Sequence, residues 1–242
     1  MKRKAIVIGA SSGIGLEVAR RLLADGWQVG LAARRQEPLQ ALAREFGTDA
    51  LTAPIDVTAD DAAEHLQALI NRLGGLDLYF HAAGIGWQNP TLKANAELNT
   101  VGTNALGFTR MVGEAFRWMA DHGGGHIAVI TSIAGTRGLG PAPSYSATKA
   151  FQNTYIQALE QLSYARKLNI RFTDIRPGFV DTDLIKGSHF PMTMTSDLVA
   201  DEIMWALTMK RHVRIIDWRW RTVVFFWRLL PAWLWRHLPL AR

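Results

Sequence analysis

Short apolar runs alternate along this chain with longer stretches in which apolar residues recur every three to four positions. The runs near 4–9, 28–32, 50–54, 77–82, 126–131, 168–175 and 212–216 predict strands. The periodic stretches near 13–25, 36–46, 59–73, 93–121, 146–166 and 196–209 predict helices. Strands that are apolar throughout are buried on both faces, and successive parallel strands need a crossover. The pattern therefore predicts one α/β domain, doubly wound, with a seven-stranded parallel sheet flanked by helices. Ligands of such sheets bind beyond the carboxyl ends of the strands, so polar residues at those ends are the first candidates for chemistry.

The 242 residues and 48% hydrophobic content suit a packed globular chain and exclude a disordered or fibrous one. There are no cysteines, which excludes disulfide scaffolds, thiol nucleophiles and Cys-ligated metal; no metal site is expected. A reducing compartment fits best, so a cytoplasmic protein is expected. The basic start and the short run Ala5 to Ile8 read as mature structure rather than a signal segment. No stretch reaches the roughly 20 apolar residues of a spanning helix. The net charge of +6 is uneven: Lys210 to Arg242 holds eight basic residues and one acid, leaving −1 for residues 1–209. The body offers nothing to nucleic acid, and no nucleic-acid partner is expected.

Ala5 to Ile8 runs into Gly9-Ala10-Ser11-Ser12-Gly13-Ile14-Gly15 and then an amphipathic helix. Glycines there permit a tight turn and close backbone approach to a pyrophosphate, and the helix N-terminus adds N–H donors. The segment also fits the nucleophile elbow G-x-S-x-G, but no earlier strand is available to supply oxyanion donors. The second strand ends in Arg34 and Arg35, where an NAD site carries an acid for the ribose 2′-hydroxyl. Two guanidiniums suit a 2′-phosphate instead, which favours NADP. Asp56 contacts an adenine or caps the next helix; both readings stay open.

Ser132 ends the fifth strand, and Tyr145 and Lys149 are four apart, on one helical face. An ammonium beside a phenol favours phenolate and makes the tyrosine a usable acid or base. Asn104 sits in the expected helix 93–121 with Gly102 and Gly107 nearby, glycines that imply close packing or a locally opened helix. Arg176 to Thr182 supplies a stiff turn after the sixth strand.

From about residue 3 to 216 the chain resembles the short-chain dehydrogenase/reductase superfamily. The resemblance rests on GASSGIG at 9–15, HAAG at 81–84, Asn104, Ser132, YSATK at 145–149 and PGFVDT at 177–182, in that order. It implies a Rossmann-type domain over 1–217 and an NADP(H)-dependent oxidoreductase acting on CH–OH groups, while composition sets off 218–242 as a distinct Trp/Arg-rich tail. Tyr145 would be the general acid/base, Ser132 would hydrogen-bond the substrate oxygen, and Lys149 would hold the nicotinamide ribose and lower the Tyr145 pKa. Asn104 would anchor a water of the proton relay. Arg34, with Arg35 second, would meet the 2′-phosphate. Asp56 and Val57 would contact the adenine, Ala83 and Gly84 would allow close cofactor approach, and Pro177, Gly178, Val180 and Thr182 would form the loop over the carboxamide. The family's usual Asn-Asn-Ala-Gly reads His81-Ala82-Ala83-Gly84 here, so His81 is expected to be a structural substitute.

Asp183 to Thr195, with Leu184, Ile185, Phe190, Met192 and Met194, corresponds to the family's variable substrate loop. Its apolar character points to a hydrophobic ketone, aldehyde or alcohol. Residues 218–235 hold five of the nine tryptophans, interleaved with Arg219, Arg221 and Arg228. Three readings stay open for this segment: peripheral contact with the inner face of a membrane, an interface of a homo-oligomer, and docking onto the chain's own body. A catalytically silent NADPH sensor or membrane-attached interaction protein on the same fold is the alternative function.

Overall fold

The first strand, β1 (Lys4–Ile8), divides its side chains between two buried layers. Ala5 and Val7 join one hydrophobic cluster, and Ile6 and Ile8 the other. This is the sequence's continuous apolar run converted into a strand covered on both faces. The structure is a computed structural model that describes residues 2–185, 187 and 190–239.

After β1 come α1 (Gly13–Ala24), β2 (Gln28–Ala33), α2 (Glu37–Phe46), β3 (Ala50–Pro54), α3 (Ala62–Leu73) and β4 (Leu78–His81). The second half continues with α4 (Ala94–Val101), a π-helical stretch (Gly102–Gly107), α5 (Phe108–Asp121), β5 (Gly125–Ile130), α6 (Pro143–Ala165) and β6 (Ile170–Arg176). Two short strands, β7 (Val180–Asp181) and β8 (Met194–Thr195), pair with each other, and α7 (Ser196–Thr208) leads to β9 (Val213–Ile215). The main sheet has the order β3-β2-β1-β4-β5-β6-β9, and every pairing in it is parallel. The chain reverses its winding between β1 and β4, which opens a crevice beyond their carboxyl ends.

The seven expected strands form within one or two residues of their expected limits. The expected helix 93–121 is interrupted by the π stretch, whose ends are Gly102 and Gly107. A Cβ at Gly107 would lie 2.8 Å from the Val57 carbonyl, so the backbone passes too close to the β3–α3 loop for a side chain.

The segment from 218 onward forms α8 (Trp218–Leu229) and α9 (Ala232–His237), separated at Pro231 as its missing N–H dictates. Trp220 and Val224 enter the same cluster as Val7 and Val199, and Trp235 is buried. Residues 240–242 of the expected tail, and residues 186, 188 and 189 of the expected substrate loop, lie outside the described residues. Among the described residues no helix is long and apolar enough to cross a membrane.

Candidate active site

The turn between β1 and α1 is shaped by backbone contact. Gly9 has φ +89°, and a Cβ on it would sit 2.7 Å from the Ala83 nitrogen; a Cβ on Gly15 would strike the Gly9 carbonyl. Side chains are excluded, so the chain bends sharply at the switch point and delivers the start of α1 to the crevice. Ser12 is the N-cap of α1 and its side chain makes no capping bond, leaving the first-turn N–H groups to face the cavity. That cavity has a volume of about 630 Å3. Gly9, Ser11, Ser12, Gly13, Ile14 and Gly15 line one end of it.

Arg34 and Arg35, at the end of β2, also line it. Arg35 donates to Ser12 Oγ at 2.7 Å and lies 3.8 Å from the Asp183 carboxylate, so it ties the glycine turn to the far wall. Asp56 does not cap α3, whose N-cap is Asp61; it accepts from Thr58 N at 3.0 Å and Thr58 Oγ1 at 2.7 Å, closing a local turn. Burial would raise its pKa, but the Thr58 bonds and the Arg34 charge hold it below the ordinary carboxylate value. Val57, Ala83, Gly84, Pro177, Gly178, Val180 and Thr182 line the same cavity.

At the other end stand Ser132, Tyr145 and Lys149. Ser132 follows β5, and its Oγ accepts from Ala134 N at 3.0 Å, which fixes the side chain. Tyr145 and Lys149 lie on one face of α6, the ammonium 5.8 Å from the centre of the tyrosine ring. Gly86 packs so closely on that ring that a Cβ there would overlap it. Asn104 lies behind the cavity, fully buried, its side chain donating to Ile85 O at 2.7 Å and accepting from Ile85 N at 2.9 Å.

The family model described as short chain dehydrogenase matches residues 3–189. The chain belongs to the short-chain dehydrogenase family. Its relatives include an uncharacterized oxidoreductase of Myxococcus xanthus (strain DK1622), 36% identical over 78% of this chain and 77% of the relative. Another is an uncharacterized oxidoreductase of Staphylococcus aureus (strain MW2), 31% identical over 87% of this chain and 93% of the relative. Among solved structures it is similar to a closed form of serine dehydrogenase complexed with NADP+, at 26% identity and TM-score 0.80 over 88% of this chain and 94% of that one. An actinorhodin polyketide ketoreductase with NADPH gives 26% identity and TM-score 0.76 over 89% and 95%. This short-chain dehydrogenase is thus an oxidoreductase built on the family's fold.

The electrostatics of the site depart from the expectation in one respect. Burial pushes the Tyr145 phenol above its ordinary range, against the opposing pull of the Ser132 hydroxyl. No lowering by Lys149 accompanies it; the lysine donates to Ile130 O at 3.0 Å and Gln152 Oε1 at 2.9 Å. Burial also lowers Lys149 itself to about 8, with the Asp174 charge working the other way.

His81, the dehydrogenase's departure from the family pattern, is fully buried. Its Nδ1 is 2.8 Å from the Tyr79 hydroxyl and its ring meets Phe108 edge-on at 5.0 Å. Burial, then the Lys149 charge, drive its pKa down to about 3, so it stays neutral and fills the sheet as a packed ring.

Several cavity residues were not singled out from the sequence. Ile85, Gly86 and Trp87 form one wall, and the short G-I-G-W run after β4 is the signal that would have marked it. Of the apolar residues named in the expected substrate loop, Leu184 lines the cavity. Phe190 instead stacks on Phe179 at 4.1 Å, and Met194 is buried in the core. A second cavity, of about 730 Å3, lies between Gly138–Pro141 and α9, bordered by Trp235 and Leu238, and holds none of the candidate catalytic groups.

Proposed function

We propose that the protein is an NADP(H)-dependent oxidoreductase that interconverts a hydrophobic ketone or aldehyde and the corresponding alcohol. The observation that carries this reading is that Ser132, Tyr145 and Lys149 share one cavity with the glycine turn and with Arg34 and Arg35. The residues fit the dinucleotide: glycines that exclude a Cβ leave room for a pyrophosphate beside the α1 N-terminus, and two guanidiniums stand where a 2′-phosphate is recognised. The NADP+ and NADPH of the two similar structures support the same choice.

When bound, NADP(H) supplies or accepts the hydride. The chain's own residues handle the proton. Tyr145 gives its phenolic proton to the carbonyl oxygen during reduction and takes it back during oxidation. Ser132, with an Oγ lone pair already occupied by Ala134 N–H, turns its O–H toward the same oxygen. Lys149 spends two N–H donors on protein acceptors and keeps the third for a ribose hydroxyl or the Tyr145 oxygen. Arg34 is the principal 2′-phosphate ligand, because Arg35 is already committed to Ser12. Ile85, Trp87 and Leu184 supply an apolar wall for the substrate. The test is NADPH consumption against a panel of hydrophobic ketones and aldehydes, with NADH and Tyr145→Phe in parallel. Turnover with NADPH that collapses by about 10²–10⁴-fold in the variant is expected. NADPH binding without turnover across the panel would favour a cofactor sensor instead.

A second surface bears on where the enzyme works. Trp218, Phe225, Phe226, Leu229 and Trp233 are 58–67% exposed, with Arg221, Arg228 and Arg236 also exposed. This outward side of α8 and α9 suits an anionic membrane surface, consistent with delivery of an apolar substrate. Flotation on anionic liposomes is expected for the wild type and lost in Trp218→Ser/Phe226→Ser/Trp233→Ser. Exposed Leu98, Leu106, Phe151 and Leu162, on α4, the π stretch and α6, are the patch expected to meet a second copy; light scattering of the same two proteins would give dimer mass in both.

A further inference from the structure

Lys149 is buried, and an ammonium has three donors to satisfy. One donor goes to the Ile130 carbonyl at 3.0 Å and one to Gln152 Oε1 at 2.9 Å. Gln152 lies one turn further along α6, three positions after the lysine and on the same side. It is completely buried, and its Nε2 donates to the Asn104 main-chain carbonyl at 2.8 Å. The amide cannot be turned round: reversal would set its NH2 against an ammonium that only donates, and its oxygen against a carbonyl that only accepts. Asn104 is itself immobilised, its side chain held by Ile85 and its backbone set in the π stretch.

We propose that Gln152 is a positioning residue for the reaction, a fixed amide that ties the Lys149 ammonium to the Asn104 carbonyl. The inference rests on the functional reading above. It adds a fixed partner at the Asn104 carbonyl, whose second lone pair remains available to the water that the family resemblance implies there. A carboxamide offers acceptor and donor but passes no proton at neutral pH. The link behind Lys149 is a rigid support. Gln152 also supplies a neutral acceptor to a buried cation, which favours its charged form. The other groups facing Lys149 are Tyr145 on its own helix, Asp174 on β6 and His81 on β4.

The test is a pH titration of the cofactor-free protein carrying 13C-labelled lysine, with the Lys149 resonance assigned by Lys149→Met. Gln152→Met removes the acceptor while keeping shape, and is expected to lower the Lys149 midpoint by about one pH unit, the worth of one hydrogen bond. Gln152→Glu is expected to raise it. In turnover the alkaline limb of ketone reduction should move to lower pH by the same amount in Gln152→Met, because the ammonium is lost sooner as pH rises. An unchanged Lys149 midpoint in a folded Gln152→Met protein would overturn the proposal. So would an unchanged midpoint in Gln152→Glu should the first variant not fold. A shifted midpoint in a protein that never oxidises NADPH would leave this support intact and sink the functional reading instead.

Discussion

The two ends of the active-site cleft are built by opposite means. The end proposed for the nucleotide is nucleated locally: Gly9 to Gly15, with Arg34 and Arg35 one strand later, come from a single β-α-β unit, and Ala83 and Thr182 press on its glycines from outside. The end that holds Ser132 and Tyr145 is supported by segments far apart in the chain. Arg137, just beyond Ser132, donates to the carbonyls of Trp227, Arg228 and Leu230 at 3.2, 3.2 and 2.7 Å, capping the end of α8 with a positive charge. Trp235 Nε1 donates to the Gly138 carbonyl at 2.8 Å. Trp220 lies flat enough on Gly178 that no Cβ fits there, meets Phe179 edge-on at 5.6 Å and donates to Met192 O at 3.4 Å. The difference teaches that the glycine turn is written largely in a short motif. The Ser132 end, by contrast, has neighbours at Arg137, Gly138 and Gly178 that are braced by the C-terminal helices.

Breaking the brace should have the largest effect. Trp220→Ala removes a large buried ring and is expected to cost about 3–5 kcal/mol of stability, read by denaturant unfolding, and to raise KM for the carbonyl. NADPH affinity measured by fluorescence should fall less than carbonyl binding, by the support that the ring gives Gly178. If NADPH affinity falls in parallel with KM, the two ends are not independent and the contrast fails.

The reciprocal change is Arg34→Asp. It should weaken NADPH binding by about 10–100-fold, through loss of a charge-assisted contact and addition of a repelling charge, and leave NADH binding and thermal stability nearly unaltered. Equal weakening of both cofactors in a fluorescence titration would show that the 2′-phosphate lies elsewhere.

Arg137→Met sharpens the comparison at a finer level. It keeps the aliphatic stem but leaves three helix-end carbonyls without their shared donor, for an expected loss of about 1–2 kcal/mol by thermal unfolding. Smallest of all should be Phe225→Ser on the outward side of α8, within about 0.5 kcal/mol of wild type in the same measurement. A loss of several kcal/mol there would mean that this side is packed rather than exposed.

Much of the fold was legible because buried parallel strands are continuous apolar runs, and seven such runs became seven strands in the expected places. The candidate site was legible where a residue type carries its own geometry: glycines that must bend, a serine at a strand end, a tyrosine and lysine four apart on a helix. Gln152 was not legible, since a glutamine in a helix ordinarily faces water; only the π stretch of a different helix turns it into a buried bridge. Nor did Trp220 and Arg137 declare themselves, because tryptophan and arginine near a chain end suit a membrane, an interface or a core equally well.

By itself the sequence determined the alternation of strand and helix, the glycine turn and the residue types available for acid–base chemistry, since these follow from hydrophobic periodicity, local backbone constraints and side-chain identity. Tertiary structure alone decided that His81 is a neutral packed ring, that Lys149 is shared between Ile130 and Gln152, and that Trp220 of α8 packs on Gly178 and Phe179. Those depend on which groups are brought together from distant parts of the chain and on how far water is excluded from them. Neither burial nor partnership is encoded at any single position.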